Sequence, residues 1–176
     1  MQNTYYYIGA NLTVDLVLIN MEEEKILLIL RGSTTNACPD MWAIPGGFIN
    51  TKAKRNQPWK PGEETPEMAA LRELQEETNF PIQELDPNKL IFNGIYEGNQ
   101  RDPRDNEISW SKSHAFYYIL DKNQYNLVEQ TKGLDDAQDV KSFSFKEIEN
   151  TKLAFDHNLI ISNILNELKK TKKLKI

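Results

Sequence analysis

The chain has 176 residues, enough for one globular domain with a real core and short for two. Its formal charge of −5 argues against a general nucleic-acid binder, and a single cysteine, Cys38, excludes an internal disulfide or a cysteine-based zinc cluster. The longest apolar run, ILLIL at 26–30, is far too short to span a bilayer.

The opening MQNTYYYIGAN has no basic segment and no apolar core, so it does not read as a signal peptide, and a cytoplasmic location is the expectation. Residues 12–20, LTVDLVLIN, read as a strand and 25–31, KILLILR, as a buried one, with EEE turning the hairpin between them. A loop at 32–40 leads to MWAIPGGF, where Pro-Gly-Gly breaks any helix and permits unusual backbone angles. Residues 50–62, NTKAKRNQPWKPG, form a polar, basic loop.

The period then changes. Between Thr65 and Thr78, Ala70, Leu71 and Leu74 make an apolar stripe, while Arg72, Glu73, Glu76 and Glu77 take the other side. Thr65 is placed as N-cap with Pro66 at the first helical position, and Asn79 followed by Pro81 ends the helix. Strands at 89–96 and 113–120 flank the charged loop GNQRDPRDNE, and a further strand covers 140–145. Asp156 is placed to cap a last helix over about 157–170. The pattern gives one α/β (α+β) domain, a mixed β-sheet sandwiched between α-helices. The Lys-rich tail, 169–176, reads as a solvated helix end; without its five lysines, 16 basic residues face 26 acidic ones.

Within this order, RELQEET at 72–78 raises an electrostatic question. On a helix Glu73, Glu76 and Glu77 crowd one face, and each like-charge pair costs roughly 0.2–0.5 kcal/mol. Lysines from elsewhere, hydration or a divalent cation would each relieve that repulsion; Mg²⁺ and Mn²⁺ favour such carboxylate oxygens.

The wider passage runs GGF at 46–48, then PGEETPEMAALRELQEETNF at 61–80. Glu64 stands eight residues before Arg72, and Arg-Glu-Leu-x-Glu-Glu and a helix stop follow. This resembles the Nudix box, G-x5-E-x7-R-E-U-x-E-E-x-G-U with U aliphatic or aromatic. It departs in two places: 16 residues instead of five separate Gly47 from Glu64, and Asn79 replaces the final glycine. The inserted loop, 48–61, carries Lys52, Lys54, Arg55, Trp59 and Lys60.

The resemblance implies a single Nudix hydrolase domain over residues 1–176 that uses Mg²⁺ or Mn²⁺ to split a nucleoside diphosphate joined to another moiety. It implies Glu73, Glu76 and Glu77 as metal ligands, helped by a backbone carbonyl near Gly46–Gly47. Arg72 would orient the glutamates, and Glu64 would brace the loop. Two further stretches bear on substrate. Arg101 and Arg104 in RDPR suit phosphate oxygens, against the alternative of an exposed charged turn. Asp135 and Asp136 in GLDDAQDV are either turn residues or, as in similar loops of the family, the group that assists water. Together with LTVDLVLI, WAIPGGFI and DHNLIISNIL, these stretches look like the ADP-ribose pyrophosphatase branch, with Arg31 also reaching the substrate.

The partner expected is thus a small-molecule nucleotide, with no nucleic acid and no membrane. The alternatives are another nucleotide substrate, or a sensor that holds ADP-ribose without cleaving it; the intact glutamates favour catalysis. Tyr5, Tyr6 and Tyr7 read as an edge strand, the alternatives being stacking on adenine or covering the partner of a homodimer. Trp42, His114 and His157 read as structural, and Trp59 carries the hypothesis of a lid over the substrate.

Overall fold

The structure, a computed structural model, describes residues 5–98 and 101–171. The two most apolar stretches become β1 (Gly9–Asn20) and β2 (Lys25–Arg31), paired antiparallel through Ile19–Ile26 and Asn20–Lys25. The acidic turn closes because Asn20 Oδ1 accepts from the Glu22 and Glu23 amides and Glu24 takes a left-handed φ of 52°.

Around this hairpin stand β3 (Trp42–Ala43), β4 (Gly46–Phe48), β5 (Ile91–Glu97), β6 (Ser109–Ile119) and β7 (Ala137–Ser144). They complete a seven-stranded mixed sheet of order β3-β2-β1-β6-β5, with β4 on β1 and β7 on β2 off that path. β1 and β6 run parallel from Gly9–Ser109 to Ile19–Ile119; the other pairings are antiparallel. A strand covered on both faces has no polar side, which is why LTVDLVLI is almost wholly apolar.

The strands sort their side chains by period two. Val14, Leu16, Leu18 and Leu27 face α1 (Pro66–Thr78), whose Ala69, Ala70 and Leu74 are fully buried. Val17, Ile19, Ile26 and Leu28 face the opposite way, onto Ile160, Ile161, Ile164 and Leu168 of α4 (His157–Lys170). Two short helices, α2 (Tyr125–Val128) and α3 (Phe145–Glu149), complete the chain. The expected mixed sheet between helices is the architecture found.

Three local expectations change, and a fourth lies partly outside the described residues. Residues 5–7 form no strand: Tyr5 is buried with its hydroxyl donating to Asp105 at 2.6 Å, and regular pairing begins only at Gly9. Asp156 stands at the N-cap of α4 without capping it, because Arg101 takes both its oxygens. The inserted loop closes on itself through the Thr51–Pro61 bridge and meets the body through Ile8–Pro58, and Trp59 packs against the α1-side core. That burial places the indole away from the cleft described below, so the lid hypothesis loses its residue. Of the lysine tail, Lys169 and Lys170 end α4, and 172–176 lie outside the described residues. Trp42 packs edge-on against Phe143, centroids 4.8 Å apart, as a structural residue should.

Candidate active site

Helix α1 begins and ends as its sequence dictates. Thr65 Oγ1 accepts from the Met68 amide and Pro66 opens the first turn. Asn79 closes the helix at φ 55°, its amide donating to the Gln75 carbonyl at 2.9 Å; this is the left-handed position where the box has glycine, and Asn tolerates it.

Arg72 gathers the acidic face. Its Nε and Nη2 donate to the two oxygens of Glu64, at 2.7 and 3.1 Å, and Nη2 also donates to the Phe48 carbonyl. Nη1 donates to Glu73 at 2.7 Å and to Glu76 at 2.8 Å. Glu64 in turn accepts from the Asn50 amide, and the Arg72 contact holds its pKa below the ordinary range. One guanidinium therefore ties the loop before α1 to two glutamates of the face.

Glu77 points the other way. Its Oε2 accepts from the Gly46 amide at 2.8 Å, and the residue is only 2% exposed. Of the two neighbouring glutamates Glu76 is exposed and Glu77 is not, because β4 and the loop before β7 cover that turn of the helix. Gly47 lies so close to Glu73 that a Cβ would stand 2.5 Å from its carboxylate, so the Gly-Gly pair is needed for approach.

The loop before β7 is pinned to the open end of α1. The Lys132 and Leu134 amides donate to the Thr78 and Glu77 carbonyls, and the Asp136 carbonyl accepts from the Gly32 amide. Asp135 adopts φ 51° at this turn. Asp136 is thereby brought beside the glutamates and repels them. Burial pushes the Glu73 pKa up to about 7, with Glu76 and Asp136 adding to it against Arg72. Burial likewise raises Glu77 well above the ordinary range, opposed by the Gly46 amide and reinforced by Asp136 and Glu73.

These groups open onto a cleft of about 610 Å³. Its walls include Gly47, Arg72, Glu73, Glu77, Asp135 and Asp136, and also Arg31, Arg101 and Arg104. Of the residues expected as metal ligands or substrate contacts, Glu76 is missing from the lining; it stands half-exposed, on Arg72.

The four arginines differ in what they have left to offer. Arg101 is neither an exposed turn residue nor a cation held ready: it is 9% exposed, its Nε and Nη2 grip Asp156, Nη2 reaches Asp15 at 3.2 Å, and Nη1 donates to Ser111. Arg104 makes a bidentate pair with Asp102 and lies over the Tyr5 ring at 4.9 Å. Arg72 is taken by the glutamates. Arg31 donates only Nε, to the Ala37 carbonyl at 3.0 Å, and its guanidinium lies 5.0 Å over the Phe155 ring. Among the described residues, its terminal nitrogens have no protein acceptor.

Several contributors escaped the sequence reading. Asp15, the one charge in an apolar strand, is buried on the cleft floor; burial works against its carboxylate, but His157, Arg101 and Ser113 hold its pKa well below the usual range. That lone charge was the available signal. Phe155, at a left-handed φ of 52°, and Tyr6, Phe48 and Ser111 line the cleft with no signal in their spacing. His114, read as structural, lies tilted against Phe92 outside the cleft, and burial lowers its pKa.

The donor set fits a hard divalent cation in its chemistry: oxygen ligands only, and carboxylates whose mutual repulsion a cation would remove. Among the described residues no three acidic, histidine or cysteine side chains already converge as a ligand cage. Arg72 and the Gly46 amide hold the glutamates instead.

Comparisons with known proteins find a matching family model and similar structures. The family model of the NUDIX domain matches residues 10–164. The structure resembles the NUDIX domain of Shewanella oneidensis NrtR complexed with ADP ribose, at 24% identity over 91% of this chain and 89% of that one, TM-score 0.68. It also resembles a bifunctional NMN adenylyltransferase/ADP ribose pyrophosphatase from Francisella tularensis complexed with AMP and a manganese ion. That match has 27% identity over 91% of this chain and 42% of the other, TM-score 0.66. Among curated proteins, the Xenopus laevis m7GpppN-mRNA hydrolase NUDT17 is 33% identical over 104 residues, 59% of this chain. The match spans only 30% of that relative's length.

Proposed function

The chain belongs to the NUDIX family, and from that premise we propose that it is a divalent-cation-dependent pyrophosphohydrolase whose substrate is ADP-ribose, cleaved to AMP and ribose 5-phosphate. The observation that carries the reading is that Glu73, Glu77 and Asp136 line one cleft together with Arg31. The Glu73 and Glu77 carboxylates, raised in pKa by burial, await a cation there, and a guanidinium with uncommitted terminal nitrogens awaits an anion in the same cleft.

In this reading Glu73, Glu76 and Glu77, with the backbone at Gly46–Gly47, hold Mg²⁺ or Mn²⁺. The cation, when bound, neutralises the diphosphate and acidifies water. Arg72 and Glu64 keep the helix face in register with the preceding loop. Asp136, or its neighbour Asp135, accepts the proton of the attacking water. Arg31 takes diphosphate oxygens, with Phe155 as the platform that aims it. Arg104 is the next cation along the cleft, and Arg101 holds the wall. ADP-ribose is favoured by the likeness to the Francisella tularensis protein, and the cleft volume suits a ligand of that size.

A second reading, cleavage of another nucleotide, draws on the identity with NUDT17. Incubation with Mg²⁺ and a panel of ADP-ribose, NADH, diadenosine polyphosphates, nucleotide sugars, 8-oxo-dGTP and a cap analogue separates the two. AMP and ribose 5-phosphate forming fastest from ADP-ribose is the expected result. Faster cleavage of another panel member overturns the substrate but keeps the glutamates. Tight ADP-ribose binding with no cleavage of any compound makes the protein a sensor.

A further inference from the structure

Three consecutive residues leading into β4 are each held by a different element. The Ile44 amide donates to His157 Nδ1 at 2.8 Å, the Pro45 carbonyl accepts from the Leu16 amide at 2.9 Å, and the Gly46 amide donates to Glu77 Oε2 at 2.8 Å. Gly47 then passes against the Glu73 carboxylate. The helix α4, the strand β1 and the helix α1 thus meet on one short segment.

The α4 hold is itself built. His157 is 2% exposed. Because Nδ1 accepts from Ile44, the ring proton belongs on Nε2, which faces Asp15 Oδ1 at 3.2 Å. Asp15 Oδ2 accepts from the Ser113 hydroxyl at 2.5 Å and from Arg101 Nη2. Arg101 in turn grips Asp156, the residue before His157, through Nε and Nη2. The imidazole is therefore oriented from both sides.

Stability alone does not account for this arrangement. Burying charges costs desolvation, and apolar side chains of similar volume often stabilise a core as well or better. What an apolar side chain cannot do is accept the Ile44 amide at a fixed distance and direction. We propose that His157, oriented by Asp15 and behind it Arg101, is the positioning residue that sets the Ile44–Gly47 segment against Glu73 and Glu77. The proposal rests on the reading above that this face, with the Gly46–Gly47 backbone, holds a divalent cation. Outer partners of this kind govern metal affinity or activity by about 10–100-fold.

The test is Mn²⁺ binding to the full chain, followed by the electron paramagnetic resonance signal of free Mn²⁺. Thermal melting and kcat and KM on ADP-ribose accompany it. His157→Asn keeps an acceptor where Nδ1 stands; His157→Leu keeps bulk and loses the acceptor. The Leu variant is expected to melt cooperatively, bind Mn²⁺ about tenfold or more weakly and lose kcat in proportion, while KM stays within about twofold. The Asn variant is expected within about threefold of wild type in both readouts. Wild-type Mn²⁺ affinity and kcat in the Leu variant overturn the proposal. Equal losses in both variants also overturn it, since the loss would then not follow the acceptor. If the Leu variant does not fold, Asp15→Asn carries the test: weaker Mn²⁺ binding supports the proposal, and unchanged binding and kcat overturn it. A wild-type protein that binds no Mn²⁺ overturns the cation reading itself, a failure told apart because no variant is involved.

Discussion

Glu77 concentrates the problem the protein has to solve at the scale of single residues. Its carboxylate is buried, repelled by Asp136 and Glu73, and held by one amide. Glu77→Gln keeps the size and the acceptor for Gly46, so the melting temperature should hold while kcat falls about 100-fold or more, the scale of losing one preorganised electrostatic contact. Near-normal kcat at saturating Mg²⁺ would remove Glu77 from the cation site. The arginines divide by the same reasoning. Arg31→Ala should raise KM for ADP-ribose about tenfold or more with little loss of stability, since hydrogen bonds to charged groups are worth about 1.5–3 kcal/mol. Arg101→Ala removes the cation that pairs with both Asp15 and Asp156, and breaking a buried pair costs about 3–5 kcal/mol. It should lower the melting temperature by about 10 °C, on the scale of about 2–4 °C per kcal/mol for a domain of this size. Calorimetry beside steady-state kinetics checks both, and the reverse pattern would exchange their roles.

Among the elements, the inserted loop is the one whose position its composition disguises. Its lysines and arginine suggest a mobile polar excursion, yet Trp59 is packed against the α1-side core, Ile8 bridges to Pro58, and Thr51 bridges to Pro61 within the loop. Arg55 stacks over Tyr6, and the loop's Phe48 and Asn50 line the cleft beside that ring. Trp59→Ala should cost about 2 kcal/mol, the worth of a partly buried large side chain, and leave KM unchanged. A rise in KM without loss of stability would return Trp59 to the substrate. Helix α1, by contrast, was legible end to end: its cap, proline, stripe and left-handed stop all stand where local chemistry places them.

For the molecule as a whole, protonation, cation and stability are linked. In the cation-free protein Glu73 has a folded pKa of about 7 against an ordinary 4.5, and Glu77 is raised too. The folded state then binds protons more tightly than the unfolded one. Its stabilising contribution is full below about pH 4.5 and is lost as pH rises through about 7. Melting temperature without metal should therefore fall between pH 5 and 8. Mg²⁺ binds the deprotonated face, so its stabilisation should be larger at pH 8 than at 5.5, reaching about 2.7 kcal/mol at a hundredfold excess over its Kd. Melts with Mg²⁺ and with a chelator at both pH values check this; an equal shift at both would separate the cation from these carboxylates.

The sequence by itself determined the strands of the central hairpin, the ends of α1 and the glutamate face. Those features rest on side-chain period, capping and spacing within one segment, which act over a few residues. Only the tertiary structure decided that Glu77 is buried and Glu76 is not, that Arg101 is spent on Asp15 and Asp156 while Arg31 keeps its terminal nitrogens, and that His157 reaches Ile44. A side chain's solvation and partners depend on what distant segments bring beside it, and Asp15, Arg101 and His157 meet only because β1, the β5–β6 loop and α4 come together at one end of the sheet.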